Sequence, residues 1–243
     1  MIRRATTAEI PNNGANECTV RIAALKDAYG CDVSFIQYFT DENGGLLAVM
    51  DGVGILSVNE LTEEWRIFLD MNPDIRKVHC SGDVGSYLIQ CGGWHGEVGE
   101  VMRFTGEAEH IDASVCTAPY LPAVYTLLNE YFPNVSPFDY WYPDVSHRIR
   151  HQCGHIACIV CGDQVVSTAM AVAETPTEAI IGQVVTNPAF RKKGYASTCI
   201  KSVISQCEGK QLYILPLNET AKKLYQNIGF VSCGTWSELE KLY

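Results

Sequence analysis

The residues best suited to chemistry are three consecutive cations placed between an apolar run and a helix-like run. They are Arg191, Lys192 and Lys193, followed by Gly194, and the apolar run before them ends at Thr186. Free N–H groups at a helix N-terminus bind anions, and the helix dipole adds to the attraction. A glycine there lets the backbone approach the anion without a Cβ in the way. The segment predicts an anion site, although a solvated basic turn has the same pattern; it is not a P-loop, because GxxxxGK[ST] is absent.

A second segment, about 25 residues further on, gives the basic loop its context. NETAKKLYQNIGF starts at Asn218 after an apolar run, continues as a helix with Tyr225, and reaches Gly229 and Phe230. RKKGYA and this segment together resemble the two signatures of the GNAT acetyltransferases, of which the first is [QR]xxGx[GA]. The details GQVVTNP and RKKGYAS look most like the subgroup that includes the C-terminal domain of glycine N-acyltransferases. The resemblance extends from roughly residue 112 to Tyr243.

The resemblance implies how an acyl-CoA binds. In this family the fourth strand diverges from the fifth, and the pantetheine arm pairs with the backbone exposed between them. The pyrophosphate lies on the loop and helix start that follow. The implied cofactor-binding residues are Val184, Val185, Thr186, Arg191, Lys192, Lys193, Gly194, Tyr195, Ala196, Ser197 and Asn218.

The general base of the family is missing from its usual place. Many relatives carry a glutamate on the fourth strand and use it to deprotonate the amine, often through water. Gly182 occupies that position here, and its neighbour is Gln183. Glu178, Glu174 and His155 are the remaining candidates. An amine that arrives unprotonated, or loses its proton to bulk water, needs no protein base.

Tyr225 is the predicted catalytic residue. By resemblance, its phenol lies near the thioester sulfur. When an amine attacks the thioester, a phenol within hydrogen-bond reach can protonate the leaving thiolate. The alternative is that the ring of Tyr225 only packs against the CoA.

Composition excludes several classes of protein and partner. The chain has 243 residues, of which 47% are hydrophobic, and a net charge of −10, which argues against a nucleic-acid partner. It has no run of eighteen apolar residues, so no membrane span or membrane partner is predicted, and MIRRATTAEIPNNG lacks the apolar region of a secretory signal. Eleven cysteines at irregular spacings fit buried free thiols in a reducing compartment. The predicted location is the cytoplasm.

The order of predicted elements indicates a mixed α/β fold. In the second half, a hairpin with Gly162-Asp163 in its turn precedes strands that alternate with helices, and a short helix is expected from Asp144 to His151. Hairpins followed by βαβ crossovers give a mixed sheet with helices on both faces. Residues 1–110 hold 8 Lys/Arg against 17 Asp/Glu, a net of −9, whereas residues 111–243 hold 10 against 11. We therefore expect domains 1–110 and 111–243, joined by the polar stretch TGEAEHIDAS, with the GNAT fold in the second.

The first half is interpreted as a degenerate, GNAT-like copy of the second. LIQCGGW (residues 88–94) and LYQNIGF (residues 224–230) share the pattern L-x-Q-x-x-G-aromatic, although a single match can be coincidence. The first half has no basic RxxGxG loop; the corresponding segment is the acidic NELTEEW, with Asn59 as the expected helix cap. Acidic groups at a helix N-terminus repel a pyrophosphate. This half is predicted to shape one wall of the substrate cleft and not to bind CoA.

A cluster of histidines and cysteines raises the question of zinc. HQCGHIACIVCG contains His151, Cys153, His155, Cys158 and Cys161. Strand alternation places a CxxC pair on opposite faces, and a zinc knuckle needs its ligands on a folded-back loop. Core packing is the favoured interpretation, and no metal is predicted.

These observations predict an N-acetyltransferase that transfers the acetyl group of acetyl-CoA to the amine of a small molecule or amino acid. The family pattern suggests no nucleophilic cysteine, so direct attack in a ternary complex is expected. Two alternatives remain. The chain could use another acyl-CoA, as in the glycine N-acyltransferase-like subgroup, or it could be an inactive CoA-binding sensor or interaction protein.

Overall fold

The computed structural model describes residues 1–14, 16–108, 115–132 and 134–242, and its contacts divide the chain into two compact units. Unit 1 comprises Met1–Met102 and Ser232–Tyr243, and unit 2 comprises Arg103–Val231. The domain boundary expected near residue 110 and the second part of the expected linker, residues 109–114, lie outside the described residues. The units differ from the expected segments because the last strand of the chain groups with the N-terminal residues.

The chain alternates strands and helices throughout. In order, the elements are β1 (Arg3–Arg4), α1 (Glu17–Tyr29), β2 (Ile36–Thr40), β3 (Leu46–Met50), β4 (Val53–Ser57), α2 (Glu63–Met71), β5 (Lys77–Ser81), α3 (Gly82–Cys91), β6 (Trp94–Phe104), α4 (Leu121–Tyr131), α5 (Phe138–Arg150), β7 (Ile156–Cys161), β8 (Gln164–Glu174), β9 (Glu178–Thr186), α6 (Tyr195–Gln206), β10 (Gln211–Ile214), α7 (Glu219–Ile228) and β11 (Phe230–Lys241). No helix in the described ranges has the length and apolar character needed to cross a membrane.

Unit 1 is built on the strand order β1-β2-β3-β4-β5-β11-β6. The strands β2, β3 and β4 pair antiparallel, and Asp51 and Gly52 form the β3–β4 turn with φ of 52° and 85°. Two positive φ values in a two-residue turn match the twist of the flanking strands. The connection through α2 makes β5 parallel to β4, and β11 then pairs antiparallel with β5. The cap of α2 is Thr62, whose hydroxyl accepts from the N–H of Trp65, so the expectation of Asn59 was wrong.

Unit 2 has the strand order β10-β9-β8-β7. The strands β7, β8 and β9 are antiparallel, and the crossover through α6 makes β10 parallel to β9. A core formed by α4, α5 and the strands includes Leu128, Trp141 and Ile156. The predicted start of α5 at Asp144 was wrong, because the helix begins at Phe138 and contains Pro143. Proline in a helix interior removes a hydrogen bond, whereas α5 also buries Trp141, Val145 and Arg148 against unit 2, and such burial stabilises a helix.

The two halves of the sequence, from α1 to β6 and from α4 to β11, share one order of elements. Each has helix, three antiparallel strands, helix, parallel strand, helix and a final strand, with one extra helix, α5, in the second half. The two matching heptapeptides occupy equivalent places: each ends a helix, turns at a positive-φ glycine, and starts a strand with a buried aromatic ring. The glycines of the shared pattern are Gly93 and Gly229, and the rings are Trp94 and Phe230. This correspondence is what the interpretation of a degenerate copy requires.

The C-terminal strand should contribute to the stability of unit 1. Leu239 is fully buried in the core cluster formed by β3, β5, α2 and α3, whereas Leu242 is 55% exposed on the same segment. Leu239→Ala should lower the free energy of unfolding by about 2–5 kcal/mol, because it loses buried apolar contacts and leaves a cavity. Leu242→Ala should change it by less than about 0.5 kcal/mol. Denaturant unfolding measures both; equal effects would show that β11 is not part of this core.

Candidate functional site

The strands β9 and β10 separate partway along β9. Their parallel pairing runs from Glu178↔Gln211 to Ile181↔Ile214 and ends there. β9 continues to Thr186, still paired on its other side with β8. The edge of residues 182–186 that faces away from β8 therefore has no partner in β10. Since backbone N–H and C=O groups need hydrogen bonds, this edge can receive an extended, amide-bearing ligand.

A β-bulge lies where the two strands separate. The β8–β9 register passes from Met170↔Gly182 to Thr168↔Val185, which places three steps on β9 against two on β8. Gln183 lies inside the bulge with φ of 49°, in the left-handed region. A non-glycine residue there costs roughly 1–2 kcal/mol, so neighbouring interactions must offset that cost.

Trp141 on α5 holds the bulged residue. Its indole Nε1–H donates to Oε1 of Gln183 over 3.0 Å, and the Trp141 side chain is itself buried in the core of unit 2. Because a buried indole N–H needs an acceptor, this hydrogen bond fixes both partners. The conformation of β9 is thus tied to α5.

The loop after β9 turns sharply toward α6. Asn187 is buried, and its side chain accepts from the N–H of Ala189, which starts a 3-10 turn over Pro188–Phe190. Arg191 then folds back, and its Nε donates to the carbonyl of Thr186 over 3.2 Å. Proline stops the strand, the asparagine caps the turn, and the arginine satisfies the last carbonyl of β9.

The same loop presents an N-terminal helix end together with positive charge. Gly194 is the N-cap of α6 with φ of 81° and provides no side chain to cap the helix. The side chains of Arg191, Lys192 and Lys193 are exposed beside it. Tyr195, Ala196 and Ser197 form the first turn of α6, and the N–H groups of a first helical turn have no intrahelical acceptor. Together these groups have the chemistry needed to bind an anion.

Asn218 lies at the same edge of the sheet as Thr186, because the C-terminal ends of parallel strands share one edge. It follows β10 and caps α7, where its side-chain oxygen accepts from the N–H of Ala221 over 2.9 Å. This cap is a structural role that was not predicted from the sequence. The side-chain amide nitrogen of the exposed Asn218 is the group left to donate to a ligand.

Tyr225 is buried on α7. Its side chain is 6% exposed, and its ring lies 6.2 Å from that of Phe230, centroid to centroid. Burial raises the pKa of the Tyr225 hydroxyl to about 12, since a charged phenolate is poorly solvated there. The buried hydroxyl is a hydrogen-bond donor at neutral pH and a poor acid.

The two glutamates considered as bases are engaged at the β8–β9 turn. Glu178 is buried and accepts hydrogen bonds from the hydroxyls of Thr175 and Thr177 at 2.8 and 2.7 Å. Burial opposes ionisation of Glu174, but hydrogen bonds from His155 and Lys210 outweigh it and hold its pKa below the ordinary value. Along a strand that rises about 3.3 Å per residue, Glu178 is roughly 17 Å from the bulge. Neither carboxylate is placed to reach it.

A small cavity adjoins the bulge on the side of α5. It is lined by Asp144, Arg148, His155, Met170, Val172 and Gln183, among others. Asp144 accepts from Nε of the buried Arg148 over 2.7 Å, so the wall carries an ion pair. The sequence-based prediction gave Asp144 and Arg148 no role in the site. It started a short helix at Asp144 and so missed the longer helix whose inward face these residues share with Trp141. The buried-face spacing of Trp141, Val145 and Arg148 is the signal that identifies the helix and its inward face.

The histidine–cysteine segment is largely structural. Cys158 lies in the core of unit 2, and Nδ1 of His151 is bonded to the carbonyl of His147. Cys161 lies 3.9 Å from the hydroxyl of Tyr195, sulfur to oxygen. Within the described residues, clustered potential metal ligands occur as Glu17–Cys18–His79, outside this segment, and as His155–Glu174–Cys207, which includes only His155 from it. In both groups a side-chain cation, from Arg21 or Lys210, already neutralises the carboxylate.

Comparison with known proteins identifies relatives of this arrangement. Residues 121–230 match the model of the acetyltransferase (GNAT) family. The chain is also similar to the UPF0039 protein of Schizosaccharomyces pombe, with 28% identity over 96 residues. That similarity spans 38% of this chain and 63% of the yeast protein, so the chain spans less than two thirds of the curated relative it matches.

Solved structures share the fold over nearly the whole chain. A Drosophila protein has a TM-score of 0.69 at 9% identity, covering 99% of this chain and 98% of its own. A GCN5-related N-acetyltransferase from Sphaerobacter thermophilus has a TM-score of 0.61 at 16% identity, covering 99% and 95%. A tandem GNAT protein from the clavulanic acid biosynthesis pathway has a TM-score of 0.55 at 11% identity, covering 96% and 90%. At these identities the likeness concerns the fold alone.

Proposed function

Because the chain belongs to the GNAT superfamily, with its acetyltransferase domain over residues 121–230, we propose that it transfers the acetyl group of acetyl-CoA to the amine of a small molecule or amino acid. The observation that carries the proposal is the unpaired edge of β9, residues 182–186, which leads directly into the basic loop and the start of α6. An acyl-CoA needs both features, one for its amide-bearing arm and one for its phosphates.

The residues fit acyl-CoA in detail. The backbone of Val184, Val185 and Thr186 would pair with the amides of the pantetheine arm, as an added strand pairs with an open sheet edge. The pyrophosphate would accept hydrogen bonds from the first turn of α6, and Gly194 would admit it without a side chain in the way. The residues that would hold the diphosphate are Arg191, Lys192, Lys193, Gly194, Tyr195, Ala196 and Ser197.

Only unit 2 is proposed to bind the cofactor. In unit 1 the first turn of α2 carries Glu63 and Glu64. The corresponding helix of unit 2, α6, is instead preceded by three cations. Two carboxylates at a helix N-terminus already interact with the positive end of the helix dipole, and their negative charges repel a diphosphate. One CoA per chain is therefore expected.

The acceptor amine would reach the thioester carbon without help from a carboxylate base. The bound thioester supplies an electrophilic carbonyl and a thiolate leaving group. Glu174 and Glu178 are fixed at the β8–β9 turn, and Gly182 has no side chain to replace the usual glutamate. The amine would lose its proton to water, so the rate should depend on the fraction of the acceptor that is unprotonated.

Tyr225 would assist the departing sulfur by donating a hydrogen bond. A thiol has a pKa of about 8.5, so complete proton transfer from a phenol with a pKa of about 12 is uphill by roughly 3 to 4 pKa units. A hydrogen bond to the developing thiolate strengthens as charge accumulates and needs no full transfer.

The activity is tested directly with acetyl-CoA and a panel of primary amines and amino acids. Release of free thiol, together with acetylated amine detected by mass spectrometry, is the expected result. The pH midpoint of kcat/KM should follow the pKa of each amine, because water and not a glutamate is proposed to take the proton. A midpoint shared by all amines would instead reveal a titrating protein group, for which His155 is the remaining candidate because it lines the cavity beside the bulge. Binding of CoA without product from any amine or acyl-CoA would identify a CoA-binding sensor.

The anion loop is tested with two glycines of the same conformation. Gly194 and Gly209 both have φ of 81° and open space where a Cβ would lie, but Gly209 is in the turn after α6. Gly194→Glu should weaken CoA binding at least about 100-fold, because its carboxylate takes the place of the phosphates. Gly209→Glu carries the same strain and charge and should bind one CoA per chain with unchanged affinity. Calorimetric titration measures both; unchanged binding by Gly194→Glu would contradict the assignment.

The role of Tyr225 is tested with Tyr225→Phe, which keeps the buried ring and removes only the hydroxyl. The turnover number should fall by roughly 10- to 100-fold, the worth of one hydrogen bond to a developing charge, while the affinity for CoA stays unchanged. Steady-state kinetics with a good amine substrate and a parallel CoA titration separate the two quantities. A variant with wild-type turnover would reduce Tyr225 to a packing residue.

A further inference from the structure

The hydrogen bond between Trp141 and Gln183 joins two elements with separate tasks. Gln183 is the bulged residue of β9, at the point where that strand leaves β10. Trp141 belongs to α5, which forms one wall of the cavity beside the bulge. The 3.0 Å bond from the indole to Oε1 of Gln183 is thus a direct link from α5 to the strand edge.

The conformation of Gln183 needs such a link. Its φ of 49° is one that glycine adopts freely and other residues adopt at a cost. Three consecutive positions of β9 from Gly182 stand against two of β8, so a return of Gln183 to ordinary strand geometry would change the register of the residues up to Thr186. Those are the residues that present the unpaired edge.

The chemistry of both partners suits a fixed link. Trp141 is 3% exposed, and its ring packs against Tyr125, with centroids 5.3 Å apart. A buried ring cannot follow a moving partner, and a buried indole N–H has few other acceptors. The energy of the hydrogen bond is therefore available to hold Gln183 in the left-handed region.

We infer that Trp141 is a positioning residue, which keeps Gln183 in its left-handed conformation and so maintains the strand edge that binds the acyl-CoA arm. This inference rests on the proposed function in naming the ligand of that edge. The link itself exists independently of the ligand. Through this link, α5 would contribute to the acyl-CoA site, although no residue of α5 lies on the segment proposed to bind CoA.

Four proteins test the inference: wild type, Trp141→Phe, Gln183→Gly and the double variant. Trp141→Phe keeps an aromatic ring and removes the donor, so it should weaken CoA binding about fivefold to tenfold, the worth of one hydrogen bond. Gln183→Gly should bind CoA within about threefold of wild type, because glycine adopts the same φ without a partner. In the glycine background, Trp141→Phe should then change CoA affinity by less than about twofold.

Two further variants serve as controls. Gln183→Leu keeps the size and the left-handed strain but removes the acceptor, so it should bind CoA as weakly as Trp141→Phe. Trp65→Phe removes a comparable buried indole bond in unit 1, where Nε1 donates to Asp41 over 2.7 Å, and should leave CoA affinity unchanged. Equal effects of Trp141→Phe in the glutamine and glycine backgrounds would overturn the inference, since Trp141 would then act by packing alone.

The link can be tested even if the proposed function fails. If wild type binds no CoA, the acyltransferase proposal falls, and denaturant unfolding of the same four proteins still measures the link. Trp141→Phe must then shift the unfolding midpoint less in the Gln183→Gly background than in wild type. Additive shifts would overturn the link without bearing on the reaction.

Discussion

The separation of β9 from β10 is the constraint on which the rest of unit 2 depends. Inside a sheet the backbone N–H and C=O groups are paired between strands, so an edge becomes open to a ligand only where a strand separates from its neighbour. Here β10 ends at Ile214, while β9 continues for five more residues with a bulge at Gln183. The loop to α6 starts where β9 ends, so the basic loop and the open edge are continuous. Neither feature alone would accommodate a ligand with both amides and phosphates.

The two halves of the sequence share one order of elements, but the charges at the start of the corresponding helices, α2 and α6, are opposite in sign. In unit 1 the pairing of β4 with β5 ends at Ile55↔His79, although each strand continues for two more residues, so these parallel strands also separate at their C-terminal ends. The helix after β4, α2, has an acidic first turn, whereas α6 is preceded by three cations. The backbone geometry of the fold is therefore not sufficient for a phosphate site. The proposal that only unit 2 binds the diphosphate therefore rests on the charge and the glycine of the loop before α6.

Local sequence signals were enough to predict the elements that lie next to each other in the chain. The turn at Asp51-Gly52, the basic loop before α6 and the helix stop at Gly229 are each specified by a few adjacent residues, and each is where the sequence placed it. Pairing between distant segments was not predictable in this way. The grouping of β11 with unit 1 depends on its contact with β5, about 155 residues earlier, and no pattern within β11 indicates it.

The site itself was predicted unevenly for the same reason. The backbone segments that would hold the cofactor were predicted from two short motifs, but the left-handed φ of Gln183 and its bond to Trp141 were not. A glutamine in a strand gives no sign of a bulge, and the partner lies 42 residues away on a helix whose start was misplaced. Strain at a single residue becomes visible only when the tertiary contacts that offset it are known.

The distribution of titratable groups indicates how such a site would accelerate a reaction. Burial has made Tyr225 a poor acid, with a pKa of about 12, and the glutamates of the β8–β9 turn are committed to hydrogen bonds there. Proton transfer to or from these groups would then lower little of the barrier of the proposed reaction. Positioning would supply most of the lowering, through a thioester held along a fixed strand edge and an amine that approaches in one orientation. A strained bulge secured by a buried tryptophan is consistent with that demand, because catalysis by positioning tolerates very little motion of the strand that holds the reacting group.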